Sequence, residues 1–581
     1  MRLASVLPIL NWGRDYNRRT FIDDLTAAII ITMMMIPQSL AYALLAGLPP
    51  QVGLYASMLP LLLYALFGSS GALSVGPFAI SSIMTATALA AIFPDGDTQQ
   101  WMAGAIVLAL ISGMMLLLFG VLRLGFLSNF LSFPVVTGFI SASAVVIAAS
   151  QIDTLLGLQA QGEQLYSLLK DIFSQLDQIQ LHTLSLGIGS LILLKLLPGA
   201  IKKLAYHFGT GAFISELLSK STPLLVMWLS ILLVSTLQLE QSVTIIGDIP
   251  RGLPTLALPD AVIWDWPSQT WQSLLASAAL ISLIGYVSAL SVAQSFAAKR
   301  RQRIDPNQEA VGLGLANLGS GLSGAFPLSA SLSRSAVSFN AGARTPAAGA
   351  LSAFGMMLST LFLTPYLYHL PLATLSAMIL LAVISLIDID AMRRAWHFSR
   401  GDFSALALTA VMTLTMGVEI GLISGVLLSI ALHLYRSSNP HVAVVGKIPS
   451  SEHFRNRDRH DVELNGNIIG FRVDASLYFA NARFLEDQVN SLVAEFSEAK
   501  HLVLLCSSIS DIDSSALESL RAVDRYLRDA GMKLHLSEVK GPVMDRLACS
   551  DFLETLSGNV YVSHYQAWCE LKTEPESDFV I

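Results

Sequence analysis

One arginine, Arg334, stands inside an apolar stretch, Gly324-Ala325-Phe326-Pro327-Leu328-Ser329-Ala330-Ser331-Leu332-Ser333-Arg334-Ser335, with no acidic residue between Pro327 and Leu386. A guanidinium at membrane depth costs at least ~2.5 to 3.5 kcal/mol and ordinarily faces a cavity or a partner. Hydroxyls beside a permanent cation that lacks a local counter-charge suit an oxyanion that arrives and leaves. The competing reading pairs Arg334 with a remote carboxylate such as Glu419, or lets it snorkel to an interface. A second interrupted stretch, Leu73-Ser74-Val75-Gly76-Pro77-Phe78-Ala79-Ile80-Ser81-Ser82, has the same small, proline-bearing character. Proline is tolerated at a helix start and serine is a strong N-cap, so a helix is expected to open at Pro77 and another at Pro327. If both start within the bilayer, their free N–H groups and positive dipole ends converge on one anion site. In Met33-Met34-Met35-Ile36-Pro37-Gln38-Ser39-Leu40-Ala41-Tyr42, Pro37 should kink or break the helix, and Gln38 offers amide donors and an acceptor where polar groups are expensive. Gln38 and Tyr42 share a helix face. The alternative for Gln38 is that it satisfies a carbonyl freed in a neighbouring helix.

These residues must be held by membrane-spanning elements. Of 581 residues, 53% are hydrophobic and 13% charged, about half the usual charged fraction. The charge is concentrated at the end: residues 437–581 hold 14 Lys/Arg and 22 Asp/Glu. A membrane body with an acidic soluble tail follows. An overall net charge of −7 offers no basic face for nucleic acid. Cys506, Cys549 and Cys569 have no close ligand spacing, and neither disulfides nor a zinc site is expected. Residues 1–20 carry four arginines without an apolar core, so no removable signal peptide is expected.

Fourteen apolar runs lie between residues 21 and 436, including a first at 21–47, a second at 53–69, a third at 77–93, an eighth at 271–297, a ninth at 309–325 and a tenth at 328–341. Loop cations, among them Arg14, Arg18, Arg19, Lys299, Arg300, Arg301, Arg303 and Arg344, fall on one side, against only Lys170 and Arg251 on the other. That asymmetry places both termini in the cytoplasm. A displacement of about 250 residues relates Phe21 to Trp271 and Pro77 to Pro327, so an odd repeat of seven spans must be inverted in its second copy. The repeats cover about 21–240 and 270–436. Glycines at 312, 314, 319, 321 and 324 suit close helix packing in the ninth span.

Ile36-Pro37-Gln38-Ser39-Leu40-Ala41-Tyr42, Ala46-Gly47-Leu48-Pro49-Pro50, Gly53-Leu54-Tyr55, Ser74-Val75-Gly76-Pro77, Asn307-Gln308-Glu309 and Ser331-Leu332-Ser333-Arg334-Ser335 together resemble the sulfate permease (SulP) family of anion transporters, which includes solute carrier family 26. The resemblance implies a polytopic helical membrane protein of fourteen segments in a 7+7 inverted repeat, divided into core and gate domains. It also implies an elevator-type motion, a homodimer and a substrate between the broken third and tenth helices. By motif, the substrate neighbourhood includes Gln38, Tyr42, Phe78, Ala79, Ser331, Leu332, Ser333 and Arg334. Proton-coupled members carry a glutamate after a Gly-aromatic pair in the eighth span, where this chain reads Gly285-Tyr286-Val287-Ser288. Serine cannot carry a proton, which leaves exchange, sodium coupling or another acid such as Glu419.

After Pro440, strands are expected at 467–473, 501–506 and 533–536, and helices at 482–499 and 514–530, a small α/β domain. It resembles a cytoplasmic STAS domain, with residues 437–565 assigned to it and 566–581 to a tail. Within Asp511-Ile512-Asp513-Ser514-Ser515-Ala516, Ser514 or Ser515 matches the phosphorylated serine of the anti-sigma factor antagonists, and the plainer reading makes Asp513 or Ser514 a helix cap. The expected activity is secondary transport of a small anion, sulfate first and bicarbonate second, across the plasma membrane (the inner membrane of a bacterium). No enzymatic chemistry, metal or cofactor is expected beyond a coupling Na+ or H+. The rival readings are an exchanger or channel-like conductor for chloride, bicarbonate or dicarboxylates, and a nucleobase permease. The last wants acids in the eighth and tenth spans that this chain lacks.

Overall fold

The computed structural model describes residues 7–94, 96–125, 132–158, 165–207, 215, 218–250, 252–256, 263 and 266–572. The side chain of Glu419, and Arg251 entirely, lie outside the described residues. The chain forms two compact units, divided between Ser429 and Ile430.

In the first unit, α1 (Arg18–Leu45) starts where the Asn17 side chain accepts the N–H groups of Arg19 and Thr20, the usual N-cap arrangement. Helix α1 runs through Pro37 as one element, so the proline does not break it. A buried transmembrane helix survives a proline when neighbouring groups take up what it frees. The second run divides into a short helix, Pro50–Tyr55, and α2 (Leu59–Phe67). Strand β1 (Val75–Gly76) then leads into α3 (Ala79–Ile92), α4 (Thr98–Val121), α5 (Phe133–Leu156), α6 (Leu181–His207) and α7 (Thr222–Thr236). The later part contains α8 (Ser268–Lys299), α9 (Pro306–Leu322), strand β2 (Ser329–Ala330), α10 (Leu332–Asn340), α11 (Ala347–Phe362), α12 (Leu372–Ile384), α13 (Arg400–Met416) and α14 (Val418–Ser438). Among the described residues, eight helical stretches are long and apolar enough to cross a membrane. Helices α3 and α10 are not among them.

Helix α9 packs on α4 and α2, and α8 on α4, whereas α5 packs on α12 and α13, and α6 on α12 and α7. Helix α1 touches both groups, meeting α11 on one side and α7 and α12 on the other. The α4–α9 contact depends on glycine. A Cβ on Gly314 would lie 2.9 Å from the Gly113 carbonyl oxygen, and one on Gly113 would lie 2.8 Å from that of Gly314. The two backbones therefore touch directly, in the small-residue manner of membrane helices.

The second unit carries a six-stranded sheet of order β4-β3-β5-β6-β7-β8: β3 Val442–Lys447, β4 Phe454–Asn456, β5 Ile468–Val473, β6 His501–Leu505, β7 Lys533–Ser537 and β8 Val560–Tyr561. Strands β5 to β8 are parallel, and β3 joins antiparallel to β4 and β5. Helices α15 (Ala482–Glu495), α16 (Ser514–Asp529) and α17 (Gly541–Ala548) pack on one apolar layer, and α18 (His564–Lys572) on the other. The expected elements are present, although α15 ends at Glu495 rather than 499. Strands β3, β4 and β8, too short or too mixed in pattern for the sequence to mark, complete the sheet.

Candidate functional site

Val75 lies opposite Ala330 and Gly76 opposite Ser329 in an antiparallel pair. The Ser331 N–H extends the ladder, donating to the Ser74 carbonyl at 3.1 Å. Since α3 follows β1 and α10 follows β2, antiparallel pairing sends the helices in opposite directions while their N-terminal ends stay together. Gly76 has φ +146°, and a Cβ there would meet Met35 Cε at 2.8 Å, so only glycine fits. Each helix also holds the other's proline carbonyl. Ser81 Oγ of α3 donates to Pro327 O at 2.5 Å, and Arg334 Nη2 of α10 donates to Pro77 O at 2.8 Å.

Helix α10 does not open at Pro327 as expected, because Pro327 precedes β2 and Ser331 is the cap, accepting the Arg334 N–H at 3.4 Å. Helix α3 opens two residues after Pro77, with Phe78 at the cap position. Among the described residues, the backbone N–H groups of Ala79, Ile80, Ser81, Leu332 and Ser333 have no acceptor. These are the unsatisfied donors that every helix start leaves.

Arg334 is 0% exposed. Its Nε donates to Ser74 Oγ at 3.4 Å and its Nη1 to Gln38 Oε1 at 3.1 Å. No carboxylate pairs with it among the described residues, and its burial excludes snorkelling. A guanidinium only donates, so Gln38 must turn its carbonyl oxygen toward Arg334 and its amide NH2 away. Gln38 therefore serves Arg334 rather than a freed backbone carbonyl. A cavity of about 250 Å³ lies against Gln38, Tyr42 and Ser333 on one side and Leu194, Met378 and Ser385 on the other. Phe78, Ala79, Ser331, Leu332 and Arg334 do not line it. Of these, Phe78, Ala79, Ser331 and Arg334 are buried, whereas Leu332 at the tip of α10 is exposed.

Sequence reading missed the residues that fix this geometry. Asn317 in α9 accepts the Leu328 N–H at 2.9 Å and donates to the Leu328 carbonyl at 3.1 Å, in the manner of a neighbouring strand. Ser320 Oγ donates to Phe326 O at 2.6 Å, Ser335 Oγ accepts the Ser74 N–H at 2.9 Å, and Ser329 Oγ donates to Gly285 O in α8 at 2.7 Å. A carboxamide set among the glycines of α9 was the signal for Asn317. Ser288, one turn beyond Gly285, is half-buried and does not line the cavity.

Two buried carboxylates have their own donors. Glu309 accepts from Tyr64 Oη, from Ser69 Oγ at 2.6 Å and from the Ser69 N–H at 3.3 Å. Asp24 accepts from the Arg344 N–H at 2.6 Å and from Thr345 Oγ1 at 2.5 Å. Both tie a helix to a loop. In the second unit, Asp513 caps α16, accepting the Ala516 N–H at 2.9 Å, while Ser514 and Ser515 are exposed. No group of metal-ligating side chains occurs among the described residues.

The model of the Sulfate permease family matches residues 21–409, and that of the STAS domain residues 459–567. The chain is 32% identical over 565 residues to "Sulfate transporter 4.1, chloroplastic" of Arabidopsis thaliana, covering 95% of this chain and 80% of the relative. It is 30% identical over 559 residues to a probable sulfate transporter of Mycobacterium tuberculosis (strain CDC 1551 / Oshkosh), covering 96% of each. In fold it is similar to the murine Solute Carrier 26 family member A9 anion transporter in the inward-facing state, with TM-score 0.87 and 21% identity, covering 98% of this chain and 94% of that one. It is also similar to the transmembrane domain of the cyanobacterial bicarbonate transporter BicA, with TM-score 0.59 and 22% identity, covering 71% and 98%.

Proposed function

That this chain belongs to the sulfate permease family of membrane anion transporters is the premise from which we propose a secondary transporter that binds its anion where α3 and α10 begin. The carrying observation is a buried guanidinium without a carboxylate partner among the described residues, set beside two groups of unclaimed helix N–H donors. One full charge plus about half a charge from each helix start gives roughly +2, which matches a divalent oxyanion such as sulfate. The apolar far wall of the cavity supports bicarbonate as the second candidate. Gln38 carries the pull of Arg334 to the cavity through its amide NH2, Tyr42 and Ser333 supply hydroxyls, and the N–H groups of Leu332 and Ser333 face the incoming ion. Phe78, Ala79 and Ser331 shape the backbone behind it.

The two packing groups read as a core, α1–α4 with α8–α11, and a gate, α5–α7 with α12–α14. Together they make fourteen passes in two inverted sets of seven, with the termini and the STAS domain cytoplasmic, in the plasma membrane. The gate wall offers the ion few polar contacts. A core carrying ion, guanidinium and helix ends together slides past it in an elevator motion, with the STAS domain supplying contacts of a homodimer. Coupling by sodium or by a counter-anion fits Ser288 and the engaged state of Glu309 and Asp24 better than proton symport does. The deciding experiment is reconstituted flux of radiolabelled sulfate, bicarbonate, chloride and dicarboxylates under separately imposed proton, sodium and chloride gradients. Sulfate uptake driven by sodium or counter-anion is expected. Proton-driven uptake without sodium dependence overturns the coupling, and absence of flux for every anion overturns the reading.

A further inference from the structure

The C-terminal end of α8 carries four cations in five residues, Lys299, Arg300, Arg301 and Arg303. Two are engaged in holding α10. Lys299 Nζ lies 5.1 Å from the Phe296 ring centroid and 5.8 Å from that of Phe339, the aromatic near the end of α10. The Arg300 guanidinium sits 4.6 Å over Phe339 and donates through Nη2 to the Ala343 carbonyl at 2.5 Å. Arg301 and Arg303 are exposed, and neither guanidinium has an acceptor among the described residues.

The nearby acids are committed. Asp305 caps α9 through the Asn307 and Gln308 N–H groups, Asp23 pairs with Arg344 at 2.7 Å, and Asp24 accepts from Arg344 and Thr345. Arg301 also occupies a costly conformation. Its φ is +56°, and the bonds Gln302 N–H to Ala297 O (2.8 Å) and Arg301 N–H to Ala298 O (3.1 Å) close the six-residue helix stop that ordinarily places glycine there. A bulky residue held in that position points to use of its side chain. Arg301 and Arg303 directly follow a helix long and apolar enough to cross a membrane, where a headgroup layer is expected. Asp23 and Asp24 link this corner to the start of α1, where Phe21, Ile22 and Leu25 are exposed beside Arg18 and Arg19.

We propose that Arg301 and Arg303 hold the phosphate of an anionic phospholipid at the end of α8, and that this lipid braces the α8–α10 corner. A clustered basic segment next to a membrane helix attracts such headgroups. Through Lys299, Arg300 and Phe339 the lipid steadies the C-terminal end of α10, the helix whose other end bears Arg334. This inference rests on the membrane placement of α8 and not on which anion is carried.

The test uses the full-length protein in vesicles of pure phosphatidylcholine or of phosphatidylcholine with phosphatidylglycerol, together with native mass spectrometry of retained lipid. Phosphatidylglycerol should raise anion uptake and stay bound. R301Q/R303Q should lose retention by about fivefold per arginine, corresponding to about 1 kcal/mol each, and should match wild type in pure phosphatidylcholine. R301K/R303K should recover most of the effect. Equal flux and retention in both lipids, or unchanged lipid dependence in the glutamine variant, overturns the proposal. Displacement of the lipid effect by soluble glycerol phosphate assigns the site to a free phosphate and also overturns it. Loss of uptake in both lipid mixtures by wild type would instead count against the transport reading.

Discussion

Arg334 in the membrane unit and Arg472 in the sheet unit are the same side chain under opposite arrangements. Arg472 Nη2 reaches Asp474 Oδ2 at 3.0 Å, and His441 Nδ1 lies 2.8 Å from the same oxygen. Arg521 likewise meets Glu518 and Asp551, and Arg546 meets Asp511. In the sheet unit these charges cancel locally, and the ties stabilise a surface. Among the described residues Arg334 meets only neutral oxygens, from Gln38, Ser74 and Pro77, although burying a lone charge is far more expensive than exposing one. Internal cancellation marks structure, and its absence at depth is what supports the proposal that the missing charge comes from outside.

The strongest test of that contrast is R334A. Uptake should fall at least about 100-fold, the loss of a charged hydrogen-bond site worth about 3 kcal/mol, while the detergent-solubilised protein melts within a few degrees of wild type. Unchanged affinity and rate would remove Arg334 from the site. Q38E sharpens the comparison by giving Arg334 the internal carboxylate that Arg472 already has. Flux should drop about tenfold to a hundredfold and thermal stability should rise, whereas Q38L should lose flux by a smaller factor and gain no stability. A Q38E protein as active as wild type would break the rule.

Acid should act on the sheet unit in the opposite sense to anion binding. Burial holds His535 and His564 down to about 4, with His501 also pressing on His535. Their folded forms bind protons more weakly than the unfolded chain does. Their contribution is therefore complete above about pH 6.5 and is lost as pH falls from there toward 4. Amide hydrogen exchange in β6 and β7 should accelerate across that window, and flat protection would refute it. Asp474 follows at lower pH. Burial raises its pKa, but the bonds from Arg472 and His441 outweigh that and hold it below the ordinary range, so its contribution disappears only as pH drops below about 4. The smallest effect belongs to D474N at neutral pH, a loss of about 1 kcal/mol in sheet-unit stability by denaturant titration with anion flux unaltered.

Polar residues that the bilayer penalises were legible in the sequence. Arg334, Gln38 and Tyr42 stood out against apolar neighbours, and the structure gathers Gln38 and Arg334 into one bonded pair. The glycines of α9 were legible as a contact face for the same reason, since nothing else in the run could allow two backbones to touch. Residues whose role is to hold backbone were not legible, because a carboxamide or hydroxyl carries no mark of the backbone group it will meet: Asn317 and Ser320 bond the turn just after their own helix, and Ser335 bonds Ser74 from the other half of the unit. Proline was a poor guide to where a helix starts: Pro327 precedes a strand, and α10 takes Ser331 as its cap four residues later. The edge strands β4 and β8 escaped notice because strands of three and two residues carry too little alternation to read.

The exchange of proline carbonyls between the two half-helices has a mechanical corollary. A displacement of one half alone would have to break Ser81 to Pro327 and Arg334 to Pro77 simultaneously. The pair is consequently fastened as a riveted joint, and an anion bound where we propose would shift only when the whole joint does.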